Sequence, residues 1–300
     1  MHKKEIRFQL LCHIIMGIAA VVTILPLILL FISSITANKD ITLYGYSFVP
    51  KHLSMEAYSY IWNERMQIFR AYFITVFVTA VGTGVGLSIS VLYAYALSKP
   101  YFPGKKFFSF FILFTMLFNG GLVPSYIMYT RYLHMKNTIL ALIIPGLLMN
   151  AFNVILIRSY FQNNVPLSLV EAAQIDGASE FQVVLKVVLP MSKPIIATIG
   201  LFIGVAYWND WQNGLYYVTD EKIYSIQQIL NNMLKNIEYL SKNATSVAKS
   251  TSLAGTLPAA TVRMAIAVIG LLPILVIYPF VQKYFVTVSY THLRAHETLS

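Results

Sequence analysis

At 300 residues the chain is 57% hydrophobic and only 11% charged. Soluble domains carry about 25% charged residues, so this composition excludes a soluble globular protein and requires a bilayer. The formal charge of +10 does not mark a nucleic-acid binder, because Lys and Arg are scattered through loops between apolar runs. The single cysteine, Cys12, leaves no internal disulfide to form.

An all-α polytopic membrane protein is predicted, with about six crossings, since some 20 apolar residues span about 30 Å of hydrocarbon. The first, residues 11–35, is too long for a cleaved signal peptide and lacks a cleavage site. Residues 36–70 follow, with Tyr44, Tyr46, Tyr58, Tyr60 and Trp62 suited to a membrane–water interface. The second crossing, 71–97, contains Gly82-Thr83-Gly84-Val85-Gly86, a run that lets helices approach closely. No Gly-x-x-x-x-Gly-Lys-Ser/Thr phosphate loop occurs, so the chain has no ATP site of that kind. A tight turn with Lys99, Lys105 and Lys106 leads to the third crossing, 107–129, where Asn119-Gly120-Gly121 and Pro124 predict a kink or break. The fourth is placed at 138–157.

Residues 166–190 then read as a helix-turn-helix. Ser168 with Glu171, and Ser179 with Gln182, each fit a capping box. Asp176-Gly177 supplies the turn, with glycine free to take positive φ. Helical spacing places Phe181, Val184, Leu185, Val188 and Leu189 on one face, and Pro190 ends the helix. The fifth crossing, 195–211, closes with Tyr207, Trp208, Asn209, Asp210 and Trp211. Aromatic faces beside amide and carboxylate groups suit a carbohydrate path; they equally suit an interfacial belt whose polar groups cap helix ends. Residues 212–259 form a second long outer segment, Ser-, Thr- and Lys-rich towards its end. The sixth crossing is 260–280, with Arg263 reaching for the outer surface.

Across these six segments Asp210 and Arg263 are the only Asp, Glu, Lys or Arg, and the scattered histidines form no metal-ligand cluster. Carriers driven by protons or sodium keep ionisable groups at mid-membrane depth. The energy source is therefore expected on another protein, entering through a docking hairpin. The Lys3-Lys4-x-x-Arg7 tail and the Lys99–Lys106 turn fall on one side, which places both termini and the helix-turn-helix in the cytoplasm.

Glu171-Ala172-Ala173, Gly177, Val187 and Leu189-Pro190 match in spacing the "EAA" signature of ABC-importer permeases. With Pro166, Ile175-Asp176-Gly177-Ala178, Trp208-Asn209-Asp210 and Tyr278-Pro279-Phe280, the chain resembles carbohydrate-type permeases on the side of the smaller maltose-type subunit. Asn119-Gly120-Gly121-Leu122-Val123-Pro124 resembles the branch that takes up polysaccharides and oligosaccharides. The resemblance implies a single transmembrane domain over residues 1–287, acting by alternating access. It implies no enzyme and no cofactor in this chain, with ATP held by partner subunits. Implied partners are a second homologous permease, two ATPase subunits, an extracytoplasmic solute-binding lipoprotein and membrane lipid, with no nucleic acid. Glu171, Ala172, Ala173, Asp176, Gly177 and Ala178 would couple to the ATPase. Tyr207, Trp208, Asn209 and Asp210 are a candidate substrate path, although in maltose-type importers the sugar site lies mainly on the other permease. Rival readings are a permease for a polyamine or glycerol phosphate, or a membrane scaffold or sensor that does not transport. Residues 288–300 depart from the family pattern, resemble a translated sequencing-library adapter and are expected to be non-native.

Overall fold

The computed structural model describes residues 2–63, 65–242, 260–276 and 279. The adapter-like stretch, Tyr278, Phe280 and the end of the second outer segment lie outside the described residues. The described residues are helical throughout their named elements, and their sole β contact is an isolated antiparallel bridge between Thr36 and Leu53. The chain divides into two compact units, residues 1–68 with 230–273, and residues 69–229 with 274–300.

In the first unit, α1 (His2–Ser34) is apolar on every side from Phe8 onward, and none of its membrane-length window is buried within the protein. A helix apolar all round must be covered by something other than water. α2 (Asn38–Tyr44) and α3 (Glu56–Asn63) are tied down locally. Ser34 shares a 2.8 Å hydrogen bond with the Tyr58 hydroxyl, and Asp40 accepts one of 2.9 Å from the His52 backbone N–H. Ala57 and Ile61 of α3 pack with Val262, Ala265 and Ile266 in a small apolar cluster.

The second unit is organised on α4 (Arg65–Ser98), a 34-residue helix with no proline to break it. α5 (Lys105–Leu117) is followed by α6 (Leu122–Ile127), which runs into a π-helical turn over Met128–Tyr132. These two pieces are bent by 111° where Asn119-Gly120-Gly121 was expected to break the crossing. α7 (Leu140–Ile143) and α8 (Ala151–Asn164) replace the continuous fourth crossing predicted over 138–157. The cause is local. Pro145 and positive-φ Gly146 (71°) stop the first helix, and Asn150 caps the second by accepting from the Phe152 N–H at 2.9 Å. The freed backbone finds partners inside the protein: the Tyr207 hydroxyl donates to the Ile143 carbonyl (2.7 Å), and Asn213 donates to that of Pro145 (2.9 Å). Irregular backbone at membrane depth is tolerated only under such cover.

α9 (Leu167–Ile175) and α10 (Glu180–Val183) form the predicted hairpin. α10 continues through a π turn, Val184–Val188, into α11 (Leu189–Met191), so Pro190 sits inside the last turn and the chain bends just after it. α12 (Lys193–Trp208) leaves at 91° to that segment, and α13 (Gln212–Tyr217) follows. After a short 3-10 turn at Glu221–Ile223 come α14 (Ile226–Lys242) and α15 (Ala260–Val276). Among the described residues two helices are long and apolar enough to cross a membrane, Phe8–Ser34 and Arg65–Ser98; the count rises to four if each bent pair is one crossing.

Glycine makes the core of the second unit possible. A methyl group on Gly82 would lie 2.4 Å from the Tyr207 ring, and one on Gly86 would lie 2.8 Å from the Leu148 carbonyl. Both glycines give α4 close contact with its neighbours, a ring at Gly82 and backbone at Gly86, as their spacing predicts.

Candidate functional site

The hairpin is shaped by three local devices. Pro166 occupies the cap position of α9, so the helix starts at Leu167 and Ser168 falls within its first turn. The capping box predicted from Ser168 and Glu171 therefore does not form; proline's fixed φ sets an earlier start. Glu171 is left exposed, with no salt-bridge partner among the described residues.

At the turn, Gly177 takes φ +83°, its N–H donates to the Gln174 carbonyl (3.0 Å), and the Ala178 N–H donates to that of Ala173 (3.0 Å). This is a Schellman closure, in which positive φ at glycine lets the chain satisfy the last helical carbonyls. Ala173 and Ala178 turn inward against the apolar core, whereas Ala172 and Asp176 stay exposed. A side chain added to Gly177 would meet nothing within 4 Å. The glycine is thus demanded within this chain by its dihedral angle, and the space around it faces outward.

The second helix opens with the predicted box: Ser179 accepts from the Gln182 N–H (3.4 Å), and the Gln182 side chain accepts from that of Ser179 (2.9 Å). Its buried face differs from the expected one. Val183, Val184 and Val188 are buried, but Phe181 is 61% and Leu185 47% exposed. The π turn inserts one residue into the helical repeat and rotates the stripe. Phe181 and Leu185 then join Ile175, 86% exposed, as apolar groups without cover in this chain.

Glu180 holds the hairpin to α4. Its carboxylate accepts hydrogen bonds from the Tyr95 hydroxyl (2.7 Å), from Lys99 Nζ and from Gln174 Nε2 (2.8 Å). The Lys99 ammonium, and after it the Tyr95 hydroxyl, hold the Glu180 carboxyl below the usual carboxylate range. Lys99 Nζ also lies 4.8 Å from the centre of the Tyr95 ring. Sequence reading did not single out Glu180. An acid beside the cap, with lysine at the end of a crossing on the same membrane side, was the available signal.

The corner after α12 is built differently. Tyr207 and Trp208 are buried, and the Tyr72 and Trp208 rings lie 6.3 Å apart. Asp210 accepts from the N–H groups of Gln212 (3.1 Å) and Asn213 (3.2 Å) at the start of α13, while exposed Asn209 donates to the Val205 carbonyl (3.0 Å). A groove of about 1040 Å³ runs beside it, lined by Thr79, Thr83, Gly84, Gly200, Gly204 and Asn209 among others. Its walls are small and almost wholly apolar, set by α4 and α12. The structure brings Tyr207, Trp208, Asn209 and Asp210 together at this corner and keeps them apart from the hairpin residues by the length of α12.

A family model described as "Binding-protein-dependent transport system inner membrane component" matches residues 100–287, which include both the hairpin and the corner. The chain belongs to that family. It is a permease of the inner (cytoplasmic) membrane, a transport component and not an enzyme, from a family that works without a cofactor. The polygalacturonan/rhamnogalacturonan transport system permease protein YtcP of Bacillus subtilis (strain 168) is 34% identical to this permease, over 93% of this chain and 94% of its own length. Protein LplC of the same organism is also 34% identical, over 91% and 90%. Among solved structures, a bacterial ABC transporter involved in the import of the acidic polysaccharide alginate contains a chain 32% identical. That match covers 93% of this permease and 96% of the other chain, with a TM-score of 0.77. This permease therefore works as part of an ABC transporter complex.

Proposed function

We propose that this permease imports acidic oligosaccharides, paired with a second homologous permease and driven by two ATPase subunits that dock on the 166–190 hairpin. The observation that carries the reading is the hairpin's outer surface: Glu171 exposed and without an ion-pair partner among the described residues, open space at Gly177, and Ile175 and Phe181 exposed beside them. A soluble partner with a cleft for a short helix would cover those apolar groups and meet the carboxylate with a cation. YtcP is described as part of a polygalacturonan/rhamnogalacturonan transport system and the solved importer as importing the acidic polysaccharide alginate; galacturonan is a polymer of a uronic acid, which supports cargo of that class. A solute-binding lipoprotein would deliver it.

The chain would cross the membrane about six times with both termini inside. The bent α5–α6 pair, the α7–α8 pair, α12 and α15 would supply crossings beyond the two long helices. ATP binding would close the ATPases, and the hairpin would carry that movement into α4 and α12, exposing the path first to one side and then to the other. The test is import in proteoliposomes holding both permeases, the ATPases and the binding protein. Radiolabelled trigalacturonate should accumulate only with ATP inside the compartment that holds the ATPase. Uptake that persists without ATP, or without the ATPase subunits, would defeat this reading.

A further inference from the structure

Apolar packing holds the inner face of the hairpin, through Val183, Val184 and Val188. Such packing is non-directional, so it keeps two elements together without fixing the angle between them. Glu180 adds direction. One carboxylate takes hydrogen bonds from Tyr95, Lys99 and Gln174, so α9, α10 and the end of α4 converge on a single group. Tyr95 lies in the last turn of α4 and Lys99 directly follows its last residue, Ser98, so both partners stand at one end of the helix. The Glu180 side chain is 60% exposed and that of Lys99 22%. Solvent screens a pair of that exposure, so its contribution to stability is small and its geometry is the feature that matters.

α4 is suited to receive a push at this end. It is 34 residues long, about 51 Å at the helical rise, and unbroken. Further along, Gly200 and Gly204 of α12 stand against Leu87 and Thr83 of α4, where a methyl group on either glycine would sit 3.5 Å from its neighbour, and Thr75 Oγ1 accepts from the Ile226 N–H at 2.8 Å. A hairpin fixed rigidly to α4 would therefore move α12 as well.

We propose that Glu180 is a positioning residue that clamps the coupling hairpin to α4, so that the two move as one lever. The proposal rests on the reading that an ATPase drives the hairpin. Without the clamp, ATP-driven displacement of the hairpin would be absorbed as tilting against its valine face.

The test uses the assembled importer in proteoliposomes, with the full-length permease carrying Glu180→Ala, Glu180→Gln, Lys99→Glu, or the exchanged pair Lys99→Glu with Glu180→Lys. Glu180→Ala should retain its ATPase subunits on purification, yet trigalacturonate imported per ATP should fall about tenfold, within the range of coupling between distant sites. Glu180→Gln keeps an acceptor for Tyr95 and should lose less; the exchanged pair should recover at least half of the ratio lost by Lys99→Glu alone. A wild-type ratio in Glu180→Ala, or no recovery in the exchanged pair, overturns the clamp. A second measurement needs no cargo. Spin labels at Lys186 and Ser88, in a Cys12→Ser background, should give one narrow distance in the parent protein and a broadened one in Glu180→Ala. An unchanged distribution overturns the clamp even if the cargo is wrong, whereas absence of ATP-driven uptake by the unmutated importer defeats only the functional reading.

Discussion

The hairpin and the Tyr207–Asp210 corner are made of similar groups and use them in opposite ways. At the corner, Asp210 is consumed by two backbone N–H groups of α13, and the Tyr207 hydroxyl by the Ile143 carbonyl. At the hairpin, internal polar needs are met by Gly177, Ser179 and Glu180, and the outward groups are left over: Glu171, Ile175 and Phe181. The corner's polar atoms have tasks inside the chain, and the hairpin's outer atoms have none. Substitutions should therefore cost stability at the first and transport at the second.

The largest effect is expected at Gly177. Gly177→Val puts a β-branched residue at φ +83° and fills the outward space, so uptake should fall below detection while membrane insertion continues. The backbone strain alone is only about 1–2 kcal/mol, so co-purification of the ATPase is the deciding measurement. Retained ATPase and retained uptake would dissolve the contrast between the two regions. Tyr207→Ala comes next. Emptying the ring's place against Gly82 should cost about 3–5 kcal/mol of stability, visible as a lowered thermal midpoint in detergent, with transport per folded molecule preserved.

Glu171→Gln should leave the melting curve unchanged. It should weaken ATPase binding roughly 10- to 150-fold, the range for losing a charge-assisted hydrogen bond of about 1.5–3 kcal/mol. Asp210→Ala removes a helix cap worth about 1 kcal/mol, and its cost should appear in stability alone. A tenfold rise in the KM for trigalacturonate at unchanged stability would instead make the corner a cargo site. The smallest effect is that of pH on Glu180. Its carboxyl lies below the ordinary value of 4.5, so its contribution is complete above that value and is lost as pH falls through the lowered one. The Lys186–Ser88 label distance should stay constant from about pH 8 to 5.5 and broaden only on further acidification.

Local chemistry was the legible part. The Ser179–Gln182 box and the Gly177 turn are decided within a few residues, and both stand where spacing placed them. The Ser168–Glu171 box had the same local form, but Pro166 started the helix two residues too early for it. Phe181 and Leu185 were assigned inward by a 3.6-residue period that a π turn interrupts, and no residue between Val184 and Val188 announces that turn. Residues 138–157 were read as continuous because their apolarity outweighed Pro145-Gly146 and Asn150, which in fact break the helix. Glu180 escaped notice for a different reason. Its partners on α4 stand 81 and 85 positions earlier in the chain, and only packing brings them near.

The π turn at Val184–Val188 also sets a limit on how this segment can vary. An α-helix advances about 100° per residue, so removing one residue there would restore the ordinary screw and swing everything upstream by roughly a quarter-turn. Ile175 and Gly177 would then face a different quarter, although every local bond in the hairpin survived. The segment can accept exchanged letters far more readily than a changed letter count: the surplus residue works as a phase adjuster, and its loss would re-aim the coupling surface without unfolding it.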